Sequence, residues 1–218
     1  MNQETENFIE ELKQRSDVLG VVMFGSWACG NNRTDSDVDL VVILNKGYRR
    51  CVEYRNEQAF EIIYTTANGA FEYWETHKDD AAGLWAVAKI LYDKDETIKK
   101  LETKIKKVLE AGKKPIDEHQ LGQFRFDSED QFKYVENIMV SDSTTANLIL
   151  ANKIFILTEL FFDIRQIWTP APKQRLAKIQ ELSPEFHSLL QGFYKEDVKI
   201  LERLNIARKI IHLVFNDK

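Results

Sequence analysis

The first half of the chain alternates between two hydrophobic patterns. Phe8 and Leu12, four residues apart among charged positions, predict an amphipathic helix that ends near Ser16. Apolar runs over 19–24 and 37–44 are typical of buried strands. Two further runs, 51–54 and 59–65, flank a predicted hairpin turn at 55–57. Helical patterns then follow over 71–77, 81–91 and 96–111.

The second half contains helical patterns only. A helix stop and a helix breaker occur together at 111–115, at Gly112 and Pro115, and mark the predicted domain boundary. Ser183 followed by Pro184 predicts a capped helix start. One apolar stripe is formed by Ile200, Leu204, Ala207, Ile211 and Val214. The patterns therefore predict an α+β protein: a small mixed β-sheet domain over 1–113, followed by an all-helical bundle over 114–218.

Composition indicates an ordinary soluble protein. Of the 218 residues, 44% are hydrophobic and 30% are charged. The net charge is −5, and the lysines over 99–114 alternate with acids and apolar residues, so no long nucleic acid is expected as a partner. The N-terminal residues are polar and acidic, and the most apolar stretch, 154–164, is interrupted by two acids and is too short to span a bilayer. We therefore expect a cytoplasmic protein without a membrane segment.

The candidate chemistry begins where the first predicted strand ends. Gly25 lacks a Cβ, so the backbone can turn there and approach a ligand closely. Ser26 is predicted to start a short helix that ends at Gly30, and free N–H groups at a helix start favour phosphate. Arg33 adds positive charge to this segment. The segment is therefore a candidate phosphate-binding loop.

Three acids form a candidate metal site. Asp37 and Asp39 are two residues apart in a predicted strand, so their carboxylates point to the same side. Such a pair repels unless a cation lies between the two groups, and magnesium prefers oxygen ligands. Glu61 lies in an apolar strand pattern, where burial is costly unless the side chain is paired or metal-bound. The alternative is that Glu61 faces solvent from a half-exposed strand.

The whole segment resembles a known signature. Gly-Ser-x-Ala-x-Gly-x-x-Arg-x-x-Ser-Asp-x-Asp-Leu, at positions 25–40, is similar to the motif of the DNA polymerase β-like nucleotidyltransferase superfamily. More weakly, 60–65 resembles that family's third-acid strand. The helical half, with its Thr-Pro-Ala-Pro-Lys segment at 169–173, is similar in outline to the C-terminal domain of aminoglycoside and lincosamide nucleotidyltransferases.

The resemblance implies an enzyme and assigns its site. Asp37 and Asp39 would hold magnesium, with two ions expected. Glu61 would be either the third metal ligand or the base that accepts the proton of the acceptor hydroxyl. The nucleotide, with ATP expected, would be bound by Gly25, Ser26, Arg33, Ser36 and Lys173. The first domain would then be the catalytic nucleotidyltransferase domain, and the helical domain would bind the acceptor. Nucleoside monophosphate, AMP by expectation, would pass to a hydroxyl of a small acceptor such as an antibiotic.

Several alternatives remain open at this stage. The acceptor could be a protein such as a toxin, or the chain could be a non-catalytic nucleotide-binding regulator. Lys173 could be a solvated lysine at a helix start. Asp127, Glu129 and Asp130 could attract a cationic acceptor, but the first turn of a helix is the preferred interpretation. Monomer and homodimer are both compatible with the sequence.

Overall fold

The computed structural model describes residues 2–216. Its strands are β1 (Val18–Phe24), β2 (Val38–Leu44), β3 (Arg49–Arg55), β4 (Gln58–Thr66) and β5 (Lys89–Asp93). The α-helices of the sheet-containing half are α1 (Gln3–Gln14), α2 (Gly25–Cys29), α3 (Ala67–Thr76), α4 (Lys78–Trp85) and α5 (Thr97–Glu110). Those of the second half are α6 (Glu118–Ile138), α7 (Ser143–Ile164), α8 (Pro172–Leu182), α9 (Pro184–Phe193) and α10 (Ile200–Asn216). The predicted α+β class is confirmed.

Contacts divide the chain into two compact units. The first unit ends at Ala111 and the second begins at Gly112, close to the glycine that marked the predicted boundary. The functions assigned to the two domains stay predictions.

The first unit is built on a mixed five-stranded sheet. The strand order is β3-β4-β2-β1-β5, and β2 and β4 are parallel while the other neighbours are antiparallel. β3 and β4 form the predicted hairpin, with Asn56 in the left-handed region at φ 50°. The parallel pair at the centre brings together two strands that are distant in sequence. This pairing places the acids of the candidate site side by side.

Both faces of the sheet are covered, because its central strands are apolar on both sides. On one face, Phe8 and Leu12 of α1 pack against Phe60 and Ile62. The amphipathic N-terminal helix is therefore confirmed. On the other face, α3, α4 and α5 bury a second apolar cluster that includes Val41 and Ile43.

Three aromatic rings pack directly beneath the start of the candidate loop. Phe24, the residue before Gly25, has its ring centroid 5.9 Å from that of Trp74 and 5.7 Å from that of Trp85. The two tryptophans are themselves in edge contact at 5.2 Å. Such edge-to-face packing adds specific geometry to burial. It fixes the end of β1, from which the loop departs.

One prediction for this unit is wrong. The helix expected over 81–91 ends at Trp85, and Lys89–Asp93 forms the edge strand β5. β5 pairs with β1, with Ile90 opposite Val22 and Tyr92 opposite Val21. Pairing with an existing strand therefore overrides the local helical pattern.

The second unit has its own helical core. The predicted cap of α9 is confirmed, because Ser183 Oγ accepts a hydrogen bond from Phe186 N at 3.3 Å. The predicted stripe of α10 lies in the core, with Leu204, Ala207 and Val214 fully buried. The first-turn prediction for Asp127, Glu129 and Asp130 is wrong. They lie inside α6, which begins at Glu118 and is capped by Asp117.

α7 is longer than the apolar stretch at 154–164 suggested. It has 22 residues and is the one described helix long and apolar enough to cross a membrane, judged by length and composition alone. Its inward side packs in the core of the second unit, where Leu150, Ile154 and Leu157 have no exposed surface. Core helices of soluble proteins meet the same criterion.

Candidate metal and nucleotide site

The three predicted acids converge at one end of the parallel strand pair. Asp39 in β2 lies directly opposite Glu61 in β4, so the register fixes the two carboxylates next to each other. Asp37 immediately precedes β2 and is exposed, whereas Asp39 and Glu61 are half-buried. One carboxylate oxygen from each residue lies within 4.8 Å of the other two. Three oxygen donors at this spacing suit a hard divalent cation.

Gly25 lies against this acidic cluster. Its φ is +66°, and a Cβ built on it would lie 1.8 Å from Asp39 Oδ2. Sequence reasoning assigned the glycine to close approach of a ligand, but the structure adds a second requirement. Any side chain at position 25 would displace the carboxylate of Asp39 or the backbone that carries it.

The loop between α2 and β2 is closed by its own hydrogen bonds. Gly30 ends α2 with φ 76°, and Asn31 N donates to Ser26 O at 3.1 Å. Ser36 Oγ accepts from Arg33 N at 2.9 Å, and Ser36 O accepts from Trp27 Nε1 at 3.2 Å. These bonds set where the chain re-enters the sheet, directly before Asp37.

The predicted nucleotide-binding residues are not all gathered at this loop. Gly25 adjoins the acids through its contact with Asp39, and Ser26 follows Gly25 in α2. Arg33 is exposed and its Nε donates to Asp35 Oδ1 at 2.9 Å, which lowers the pKa of the Asp35 carboxyl. The hydroxyl of Ser36 is used within the loop. Lys173 belongs to the second unit, exposed at the start of α8.

Arg50 is a site residue that sequence reasoning missed. Its Nε donates to Glu61 Oε1 at 2.9 Å, and its Nη2 contacts the same oxygen. The hydrogen bond to Glu61, with the charge of that carboxylate, raises the pKa of the Arg50 guanidinium. The predicted strand began at Cys51, but β3 begins at Arg49. Arg50 therefore lies outside the predicted strand, where alternation gives no side-chain direction.

Arg50 alters the balance of charge in the cluster. Two aspartates and one glutamate would carry three negative charges, and the guanidinium neutralises part of the charge of Glu61. The side chain of Glu61 is 31% exposed and is paired with Arg50. The arrangement can bind a divalent ion and, with it, phosphate oxygens.

Comparisons with known proteins give a consistent result. Residues 5–139 match the family described as Nucleotidyltransferase domain. Among solved structures, the chain is similar to a nucleotidyltransferase-like protein from Exiguobacterium sibiricum 255-15. The identity is 12% and the TM-score is 0.52, and the match covers 99% of this chain and 74% of that one. At this identity the likeness concerns the fold alone. No curated protein matches the chain.

Proposed function

The chain belongs to the nucleotidyltransferase domain family and is a nucleotidyltransferase, and we propose that it uses magnesium to move AMP from ATP to a hydroxyl of a small acceptor. The observation that carries this proposal is the convergence of Asp37, Asp39 and Glu61, whose oxygens lie within 4.8 Å of one another. Carboxylates so close are stable together when a cation neutralises them.

Each residue has a distinct part in the proposed site. Asp37 and Asp39 hold the metal, and Gly25 leaves room for the Asp39 carboxylate beside the backbone. Ser26, with Arg33 and Ser36 in the neighbouring loop, contributes to binding the nucleotide phosphates. Magnesium, with two ions expected, would supply charge neutralisation at the phosphates when bound. Glu61 is either the third ligand or the base that accepts the hydroxyl proton.

The proposed reaction is an in-line displacement. The acceptor oxygen forms a bond to the α-phosphorus, and the bond from that phosphorus to the bridging oxygen of the β-phosphate breaks. Pyrophosphate leaves, and the hydroxyl proton passes to Glu61 or to solvent. The chain contributes mainly by positioning the reactants and placing charge near them.

The acceptor is proposed from the resemblance to antibiotic-modifying enzymes. The helical second unit is assigned to acceptor binding, in keeping with that resemblance, and antibiotic resistance is the corresponding biological role. A cytoplasmic location fits the two free cysteines, Cys29 and Cys51.

A protein acceptor is the second candidate, and one observation favours it. β3 is an edge strand, and Val52, which lies directly opposite Glu61, is 56% exposed. Tyr54, two residues further along β3, is 76% exposed. An edge strand with exposed apolar side chains can accept a strand from a partner protein. Such a partner would lie next to the proposed catalytic acid.

The test is a search for the transferred nucleotide. The protein is incubated with Mg²⁺ and each NTP, together with hydroxylated compounds, antibiotics or cell extract, and products are analysed by mass spectrometry. We expect an added AMP mass on a small molecule; the same increment on a protein would select the second candidate. Asp39→Asn is the matched control, because it keeps the side-chain size and removes one metal-binding charge.

Two results would overturn the proposal. One is transfer by Asp39→Asn at a rate near that of the wild type. The other is nucleotide binding without pyrophosphate release under any condition, which would make the chain a nucleotide-binding regulator.

A further inference from the structure

Arg50 and Glu61 form a contact of unusual asymmetry. Both Arg50 donors, Nε and Nη2, reach the same oxygen, Oε1 of Glu61. A guanidinium more often engages a carboxylate through both oxygens, one donor to each. Within the described part of the chain, both bonds from Arg50 go to Oε1, which leaves Oε2 available for another partner.

The register explains this asymmetry. Val52 lies opposite Glu61 in the β3–β4 pair, and Arg50 lies opposite Ile63. Arg50 therefore approaches Glu61 diagonally, from the next position along the same face. Its side chain is 63% exposed, so the guanidinium enters from the solvent side of the site.

We propose that Arg50 is a positioning residue that holds Oε1 of Glu61 and so turns Oε2 toward Asp37 and Asp39. Its positive charge also lowers the affinity of the three acids for a divalent ion until the nucleotide phosphates are present. This inference rests on the proposed function, since it assigns a role toward the metal and the reacting hydroxyl. The charge of Arg50 governs binding of the free ion, and its hold on Glu61 governs turnover, where partners that orient a metal-binding side chain commonly matter by about 10–100-fold.

The chain offers a matched control one residue away. Arg49 is the same residue type on the same strand, but alternation points it to the opposite face. There it lies against the surface near Tyr64 and Glu53, away from the acids. Arg49→Gln therefore removes the same charge from β3 without touching Glu61.

The first arm of the test measures metal binding without nucleotide. Mn²⁺ is titrated into the full-length protein and its variants, with free Mn²⁺ followed by electron paramagnetic resonance. Arg50→Gln, which removes the charge, should bind Mn²⁺ about three- to tenfold more tightly, the size expected for an exposed charge near a divalent ion. Arg50→Lys and Arg49→Gln should stay within about twofold of the wild type.

The second arm measures pyrophosphate release with Mg²⁺ and ATP. Arg50→Gln should lower kcat by about tenfold or more with little change in KM for ATP, and Arg50→Lys should recover part of the loss. General damage to the fold would weaken both metal binding and turnover, whereas the proposal requires them to change in opposite directions.

The outcomes separate the two proposals. Unchanged or weaker Mn²⁺ binding by Arg50→Gln, or an unchanged kcat, overturns the role of Arg50. A wild type that binds Mn²⁺ but releases no pyrophosphate overturns the proposed function, and the first arm still decides the effect of Arg50 on the metal. A wild type that binds no Mn²⁺ overturns both.

Discussion

Gly25 and Gly30 both have left-handed backbone, but their surroundings differ. At Gly25 a Cβ would lie 1.8 Å from Asp39 Oδ2, whereas at Gly30 it would meet nothing within 4 Å. Their φ values are similar, +66° and +76°, so the strain of a substituted residue is also similar. Substitutions at these two glycines therefore separate the effect of backbone strain from the effect of a collision with a proposed metal ligand.

Alanine at each glycine should therefore have different consequences. Gly30→Ala should lower the free energy of unfolding by about 1–2 kcal/mol and leave most activity, because only strain is added. Gly25→Ala should destabilise the protein at least as much and abolish nucleotidyl transfer, because Asp39 must move. The measurements are urea unfolding and initial rates. Equal activity in the two variants would contradict the proposed role of Asp39.

At the residue scale, the sequence predicted the acids but not their neighbours. Asp37, Asp39 and Glu61 were expected from alternation and from the signature, and the structure brings them together. The contact of Gly25 with Asp39 depends on pairing of β1 and β2, where Phe24 lies opposite Asp39. The contact of Arg50 depends equally on the β3–β4 register. A pattern along one strand contains no information about such cross-strand neighbours.

At the scale of elements, Asp93 connects the strand that was not predicted to the helix that follows. It ends β5, its Oδ1 accepts from Ile98 N at 2.7 Å, and its Oδ2 accepts from Lys99 N at 3.2 Å. Both N–H groups belong to the first turn of α5. The N–H groups of a first turn have no hydrogen-bond acceptor within their own helix. The side chain therefore acts as the cap of α5.

Asp93→Ala should lower the free energy of unfolding by about 1–2 kcal/mol, because both bonds to the helix start are lost. Glu110→Ala, an exposed change at the other end of α5, is the control and should have a small effect. Urea unfolding measures both. A change at Asp93 no larger than that at Glu110 would show that the cap does not stabilise the helix.

Lys153 is a buried cation in α7, only 6% exposed in the core of the second unit. Burial, opposed by the charge of Asp127, lowers the pKa of its ammonium group. Between the lowered folded pKa and the ordinary value of about 10.5, the unfolded chain binds more protons. The cost of burying this charge is therefore greatest below the folded pKa and disappears as the pH rises through that window.

Lys153→Met should raise the free energy of unfolding at pH 7 by about 1 kcal/mol, since an apolar chain of similar length replaces a buried charge. The gain should shrink when unfolding is measured above pH 9.5. Lys209→Met, at an exposed position of α10, is the control and should show no such pH dependence. A gain that grows with pH would contradict the direction of the shift.

Elements with strong periodicity were predicted well, and β5 was not. The region 81–91 has helical spacing and no proline, so only its pairing with β1 shows that Lys89–Asp93 is a strand. By contrast, α10 carries a long apolar stripe and α9 has both a cap and a proline, which are local signals. Edge strands of five residues depend on tertiary contacts for their identity.

At the scale of the whole molecule, two compact units divide the predicted functions. The acids, Gly25 and Ser26 all belong to the first unit, and the predicted nucleotide ligand Lys173 belongs to the second. The family match extends to residue 139 and so includes α6 of the second unit. The architecture was predictable because Gly112 and Pro115 interrupt the helical pattern and only helical patterns follow them. The identity of the acceptor was not, since fold does not determine substrate.

Lys173→Ala tests the predicted contribution of the second unit to nucleotide binding. If Lys173 binds the triphosphate, the ATP concentration for half-maximal rate should rise about tenfold, the effect of one lost charge-assisted hydrogen bond. Acceptor binding should stay nearly constant. Lys178→Ala, on the same helix and paired with Glu181 at 2.7 Å, is the control. Identical ATP dependence in both variants would show that the side chain of Lys173 is solvated and does not bind the triphosphate.

In the proposed site, Asp37, Asp39 and Glu61 together hold the metal that binds the nucleotide. The most direct test of this assignment is anomalous diffraction from crystals grown with Mn²⁺ and a non-hydrolysable ATP analogue. We expect an anomalous peak at coordination distance from both aspartates, with the triphosphate bound to the same ion beside Gly25 and Ser26. A peak without contact to Asp37 and Asp39, or a triphosphate bound away from this loop, would contradict the proposed metal site.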